Sequence, residues 1–386
     1  MNALIRKEFR LLLPAFAAAF VLVAVSGCLG TPAFPTGIAV WLGTALIGIS
    51  CFGREFQSNT FSLLLTLPIP RQKIWWIKIG ALLMLLCVLW LERIGMRLIF
   101  GFEAWSDWAS VVCVLLATLG GALWTTLLLR ESLAAFCVAL LLPVSIFAVE
   151  DMAKVPAGII FASLALYGAA GPVFAWRLFQ RAQDVGWTGG EVAVRLAPFA
   201  GWKTRAARRT FHPFGALFRK EAKLHQPACL MILGLLVLHF AAILARTAMR
   251  SDQNSLAGET LSVFSGFWLI VPLAVGAVGI AEERKLGTLQ QATTLPFRRN
   301  IQFGLKLLFP VFLGGLLSPL LVVVAEGIAT TIGAPARIPL FDPAFSLHAL
   351  GWLILVFSGL SLAGVYASSL SSSFVQALTL GVGISG

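Results

Sequence analysis

Charge is scarce in this chain. Only 12% of its 386 residues are Asp, Glu, Lys or Arg, 59% are hydrophobic, and the mean hydropathy is +0.90. Soluble domains carry about 25% charged residues, so an ordinary water-soluble globule is excluded. Six cysteines (Cys28, Cys51, Cys87, Cys113, Cys137 and Cys229) lie in or beside apolar runs with no CxxC or metal-type spacing. They read as small buried hydrophobes, not as disulfides or ligands. Four histidines (His212, His225, His239 and His348) form no cluster, and each reads as an ordinary helix residue. No G-x-x-x-x-G-K-[ST] occurs, so the chain carries no P-loop of its own for ATP.

Acid is scarcer than base: 17 Asp and Glu against 29 Lys and Arg, a net charge of +12. Apolar runs long enough to cross a bilayer fall near residues 11–29, 36–53, 74–91, 109–128, 133–149, 156–176, 226–245, 263–281, 305–326 and 346–366. With the N-terminus inside, every Lys and Arg except Arg93, Arg97, Lys154, Arg246, Arg250 and Arg337 falls on the inner face. That positive-inside bias accounts for the charge without nucleic acid. The expectation is a multi-pass protein of the cytoplasmic (inner) membrane, all-α, with its N-terminus cytoplasmic and lipids around it. A last apolar run begins near residue 373 and reaches only to Gly386, too short to cross a bilayer.

Two stretches match without a gap. Arg54 to Lys78 aligns with Glu282 to Lys306, so Glu55 falls on Glu283, Thr60 on Thr288, Leu67-Pro68 on Leu295-Pro296, Arg71 on Arg299 and Lys78 on Lys306. Agreement in charge and turn residues together marks an internal repeat. Each copy sits between apolar runs and is too charged to enter hydrocarbon, so each is a cytoplasmic loop. Ser58/Asn59 and Gly287/Thr288 are candidate N-caps of a short helix that Pro68 and Pro296 stop, with Phe61, Leu64 and Leu65 on one side of the first copy. A second repeat precedes each half: Leu4-Ile-Arg6-Lys7-Glu8 recurs as Leu217-Phe-Arg219-Lys220-Glu221. Both read as interfacial elbow helices. Val25-Ser-Gly-Cys28 resembles a lipoprotein cleavage box, but Glu8 and the mid-chain recurrence of the leader pattern argue against a signal peptide.

The expected organisation is a first permease-like unit at 1–182 (elbow plus six spans), a basic Gly-containing linker at 183–212, and a second unit at 213–386 (elbow, four spans and part of a fifth). Trp75 and Trp76 are placed at the headgroup level and Arg93 and Arg97 in an outer loop. Glu326, near the outer end of a span, reads as a snorkelling side chain. Glu282-Glu283 could suggest a glutamate protease dyad, yet no arginine stands four residues after Glu283, where Gly287 lies, and no histidines follow at a matching spacing.

These loops and elbows resemble the permeases of type 2 ABC exporters, whose second span is followed by a Glu…Gly-Thr…Leu-Pro…Arg coupling loop. Glu283, Gly287, Thr288, Leu295, Pro296 and Arg299 match that loop; Glu55, Thr60, Leu67, Pro68 and Arg71 match it with Asn59 in place of Gly. The resemblance implies a transporter subunit rather than an enzyme, with ATP bound by a separate ABC-type ATPase present in two copies. It further implies both permease halves in one chain, without a second permease chain. Coupling to the ATPase then falls to Glu55, Thr60, Pro68, Arg71, Glu283, Gly287, Thr288, Pro296 and Arg299. The elbows carry Arg6, Lys7, Glu8, Arg219, Lys220 and Glu221. The alternative is a secondary transporter built from parallel repeats, for which mid-span charged or unwound positions are the signature and few are visible in the sequence.

Overall fold

Hydrocarbon offers the backbone no hydrogen-bonding partner, so an apolar chain of this kind satisfies its amides internally, as helix. In the computed structural model every regular element among the described residues is helical. Those residues are 2–29, 36–58, 60–100, 108–152, 155–182, 213–248, 256–285, 299–332, 347–371 and 374–385. The helices are α1 (Asn2–Leu29), α2 (Thr36–Gln57), α3 (Phe61–Leu65), α4 (Arg71–Phe100), α5 (Trp108–Leu129), α6 (Ser132–Met152), α7 (Ala157–Arg181), α8 (Pro213–Leu224), α9 (Gln226–Ala248), α10 (Leu256–Lys285), α11 (Arg299–Pro310), α12 (Ser318–Thr331), α13 (Leu347–Leu370) and α14 (Phe374–Ser385). A π-helical stretch, Val311–Leu317, joins α11 to α12 in one rod.

Among the described residues seven stretches are long and apolar enough to cross a membrane: Leu4–Ser26, Arg71–Met96, Val111–Leu129, Gly158–Arg181, Gln226–Leu244, Arg299–Thr331 and Leu350–Leu370. The all-α, polytopic character expected from composition is present. Among the described residues, shorter apolar stretches lie in α6 and α10, Ser132–Pro143 and Phe267–Ala281. In α2, buried from Ala39 to Gly53, the polar Arg54-Glu55 turn belongs to the same helix.

Two contacts depend on glycine. A Cβ on Gly120 of α5 would lie 2.5 Å from the Gly168 carbonyl oxygen of α7, and one on Gly364 of α13 would lie 2.5 Å from the Leu273 carbonyl oxygen of α10. Absent side chains let those backbones touch, which is how helices associate where lipid is as apolar as leucine. Helices of the first part meet those of the second through α1–α14, α2–α10 and α6–α9. At the α2–α10 crossing Trp41 meets the Phe267 ring edge-on at 4.9 Å, and its indole N–H donates to Thr118 Oγ1 at 2.5 Å.

Three expectations are corrected. First, α1 runs unbroken from Asn2 through Pro14 to Leu29, so no separate elbow precedes the first span. Leu12, Ala15 and Ala19 bury one side of it on both flanks of the proline, and Arg54 donates to the Leu11 carbonyl at 2.6 Å. An elbow does form as α8, parted from α9 by the single residue His225 two positions before Pro227. Second, α4 continues to Phe100, so Arg93 belongs to the helix; it is buried, with its guanidinium over Trp90 at 5.7 Å. Third, Trp75 is buried and only Trp76 is exposed. The linker at 183–212 lies outside the described residues.

Candidate functional site

The repeated charges come together as two buried ion clusters. In the first, α1 brings Lys7 and Glu8, the last turns of α2 bring Glu55, and the first turns of α4 bring Lys78. Lys78 Nζ lies 2.7 Å from Glu8 Oε2 and 3.1 Å from Glu55 Oε2, and Lys7 Nζ lies 3.2 Å from Glu55 Oε1. Lys78 is fully buried, donates also to the Cys51 carbonyl at 3.2 Å, and stands over the Phe52 ring at 5.3 Å. In the second, α8 brings Lys220 and Glu221, α10 brings Glu283, and α11 brings Lys306. Lys220 Nζ lies 2.7 Å from Glu283 Oε1, Lys306 reaches Glu221 at 3.5 Å, and Lys306 donates to Glu283 Oε2. Each cluster holds two ammonium groups and two carboxylates. Its charge sums to zero, the condition under which burial of ions is tolerable.

Local sequence explains the arrangement. Charges at the last turns of one helix and the first turns of the next are brought face to face by a short connection. The Lys-Glu dipeptide supplies the remaining two from a helix beside them. The first connection is visible in detail. Ser58 Oγ hydrogen-bonds the Arg54 carbonyl and Thr60 Oγ1, both at 2.8 Å, and Thr60 precedes α3. Thr60 is the residue at the α3 N-cap, not Ser58 or Asn59, and its side chain makes no cap bond. α3 ends at Leu65, before Pro68, and buries Phe61 and Leu64 while leaving Leu63 64% exposed.

Under α3 lies an aromatic cluster. Phe61 meets Phe56 at 4.4 Å and Phe179 at 6.3 Å; Trp75 meets Phe52, Trp176 and Phe179 at 5.8, 5.4 and 5.9 Å. Arg71 donates to the Gln180 carbonyl at 2.5 Å, so α7 is tied to the same junction. The loop is thus seated on a rigid floor, with Leu63, Leu67, Pro68 and Trp76 facing outward.

Among the expected site residues, Glu55 and Glu283 lie inside the clusters rather than on the surface, Thr60 and Arg71 are half-buried, and Pro68 and Arg299 are exposed. Lys7, Glu8, Lys220 and Glu221 belong to the clusters, whereas Arg6 and Arg219 are exposed outside them. Gly287, Thr288 and Pro296 lie outside the described residues. The reading of the sequence missed Lys78 and Lys306 as functional positions, although both were aligned by the repeat. A lone lysine inside an apolar run was the available signal.

The second cluster differs from the first by His225, fully buried and stacked on Phe309 at 5.5 Å, its Nδ1 at 3.0 Å from the Glu221 carbonyl. Burial, with some repulsion from Lys306, holds its imidazole below the usual histidine range. Burial raises the Glu221 carboxyl, with Lys306 offsetting only part of the effect. Burial also opposes the Glu283 carboxylate, but hydrogen bonds from Lys220 and Lys306 and their charges outweigh it, leaving Glu283 below the ordinary range. Glu221 therefore holds a proton more readily than Glu283.

A further pair lies apart from both clusters. His239 Nε2 on α9 and Glu326 Oε1 on α12 are 3.0 Å apart, and both side chains are almost wholly buried. Glu326 is therefore not a snorkelling side chain: an acid this deep in protein is satisfied by a partner, not by the membrane surface. Among the described residues no group of three metal-ligating side chains occurs. Comparison of the chain with protein-family models, with curated proteins and with solved structures finds no match.

Proposed function

We propose that this chain is the membrane-spanning permease of an ATP-driven exporter of the type 2 ABC class, in which a separate ATPase drives two cytoplasmic levers. The observation that carries the reading is the pair of buried ion clusters at the repeated positions. Each joins three chain segments at the junction from which the repeated loop leaves, so a push on the loop is delivered to three helices together. In this reading Glu55 and Glu283 anchor the levers from inside, while exposed groups such as Leu63, Pro68 and Arg299 meet the ATPase. The two units at 1–182 and 213–386 then form one pathway, with the N-terminus and both loops cytoplasmic in the inner membrane, two ATPase copies bound, and no cofactor in this chain.

Co-purification tests it. Expressed with the ABC-type ATPase encoded beside it, the full chain is expected to retain the ATPase through detergent extraction and to lose it on Glu283→Lys. Retained association and activity in that variant overturn the coupling role. One observation favours the second reading, a secondary transporter: the buried His239–Glu326 pair, whose Glu326 stands on the rod that carries the π-helical turn. Transport by the chain reconstituted without any ATPase would decide for it.

A further inference from the structure

We propose that His239 and Glu326 form a proton-binding site inside the bundle, one that takes up and releases a single proton as α9 and α12 change their contact. The pair is dry. Beside it stand Ile243, Ala325 and Ala329, packed as their own small apolar cluster against Leu236 and Phe240, and Trp268 of α10 meets the imidazole edge-on at 6.2 Å. The shared proton can sit as imidazolium and carboxylate or as imidazole and carboxylic acid. Gaining or losing a proton changes the charge held between α9 and α12, so the proton count is coupled to how the two helices meet.

Two observations point to proton exchange and not to a fixed structural bond. A structural histidine normally has its second ring nitrogen pinned by a carbonyl or carboxylate. Here His239 Nδ1 is buried with no protein partner, and so is Trp268 Nε1 beside it, leaving Nδ1 able to gain or lose a proton without breaking a bond. The rod bearing Glu326 also changes its pitch within three turns of it, over Val311–Leu317, where Ser318 Oγ donates to the Leu313 carbonyl at 2.8 Å. Such π turns interrupt α-helices mostly at functional sites. By the offsets of the two repeats, 213 for the elbow and 228 for the loop, His239 corresponds to Ser26 and Glu326 to Leu98, so the first unit carries no such pair.

Among side chains that the structure describes, the titratable groups on the elements packed around the pair are Cys137 on α6, Glu283 and Arg284 at the opposite end of α10, Tyr366 on α13, Cys229 on α9 itself, and Arg219, Lys220, Glu221 and Lys223 on α8, which packs against α9. Arg246, Glu259, Glu150, Asp151 and His348, near the ends of these helices, are not among the described side chains; of these, Arg246, on α9 itself, serves as the control variant.

The test uses the full chain, 15N-labelled at histidine, in lipid nanodiscs. The His239 resonances, assigned by their loss in His239→Gln, are expected to titrate in one step whose midpoint moves by more than one pH unit in Glu326→Gln and by much less in Arg246→Gln. In wild-type protein, infrared difference spectra across the same step are expected to show a carboxyl band changing with the same midpoint, which needs no variant to fold. A His239 midpoint indifferent to Glu326→Gln, or a wild-type carboxyl signal that does not follow the imidazole, overturns the proposal.

Discussion

Lys78 concentrates the energetic argument in one residue. Its ammonium group lies fully buried between two carboxylates that are themselves 1% exposed. Lys78→Met removes the cation and leaves those carboxylates facing each other in protein, a loss of about 3–5 kcal/mol on the scale of broken buried ion pairs. Lys7, 41% exposed, is solvated on one side, and Lys7→Met is expected to cost no more than about 1 kcal/mol. Thermal unfolding in one detergent ranks the two variants; equal losses would refute the burial argument.

His225 makes a pH prediction with a definite sign. Its native pKa lies below the unfolded value of 6.5, so the unfolded chain binds the extra proton first and stability falls as pH drops below about 6.5. Glu221, raised in the native state, works in the opposite direction: the folded chain takes up its proton first as pH falls toward 4.5. The difference between wild type and His225→Leu isolates the histidine. The variant's melting temperature is expected to fall less between pH 7 and the acid side; parallel curves would contradict the assignment.

At the scale of elements, the short helix α3 is five residues long and has no side-chain cap, so propensity alone does not hold it. It stays because Phe61 and Leu64 enter the aromatic floor formed by Phe52, Phe56, Trp75 and Phe179. Phe61→Ala is expected to cost about 3–5 kcal/mol if the site cannot collapse, and to raise hydrogen exchange over 60–66 before any other part of α2 or α4. Uniform exchange across α2, α3 and α4 would show that the loop has no seat of its own. The α5–α7 contact depends on a different economy, the absence of side chains. Gly120→Val drives a side chain into Gly168 and is expected to lower the melting temperature clearly more than Gly80→Val, whose added Cβ meets nothing within 4 Å.

The same elements mark where sequence reading stops. Helix positions followed from run length, and between α5 and α6 Arg130 takes the left-handed conformation. The repeat placed Glu55 over Glu283 and Lys78 over Lys306 correctly in register. It gave no sign that they point inward, because their pairing depends on a third segment, α1 or α8, that arrives from elsewhere in the chain. Trp75 and Trp76 are alike in sequence, yet one closes an aromatic cluster and the other faces out. Partner helices decide that, and periodicity cannot see them. Charge ends the apolar run at Arg93, yet the helix itself continues to Phe100, and periodicity alone does not show which happens. His239 and Glu326 lie 87 residues apart, a separation that no local pattern bridges.

For the whole molecule, we propose that two loops, each leaving from a neutral buried ion cluster, deliver work from an ATPase to an apolar bundle with no nucleotide motif of its own. Its most direct test is a cross-link from the outward-facing tip of the first loop. Leu63→Cys, joined by a short thiol-reactive cross-linker in membrane vesicles carrying the co-expressed ATPase, is expected to yield a chain–ATPase adduct whose amount changes with ATP. Labelling of that cysteine from the external side of sealed vesicles of cytoplasm-in orientation, with no adduct in either nucleotide state, would contradict the account.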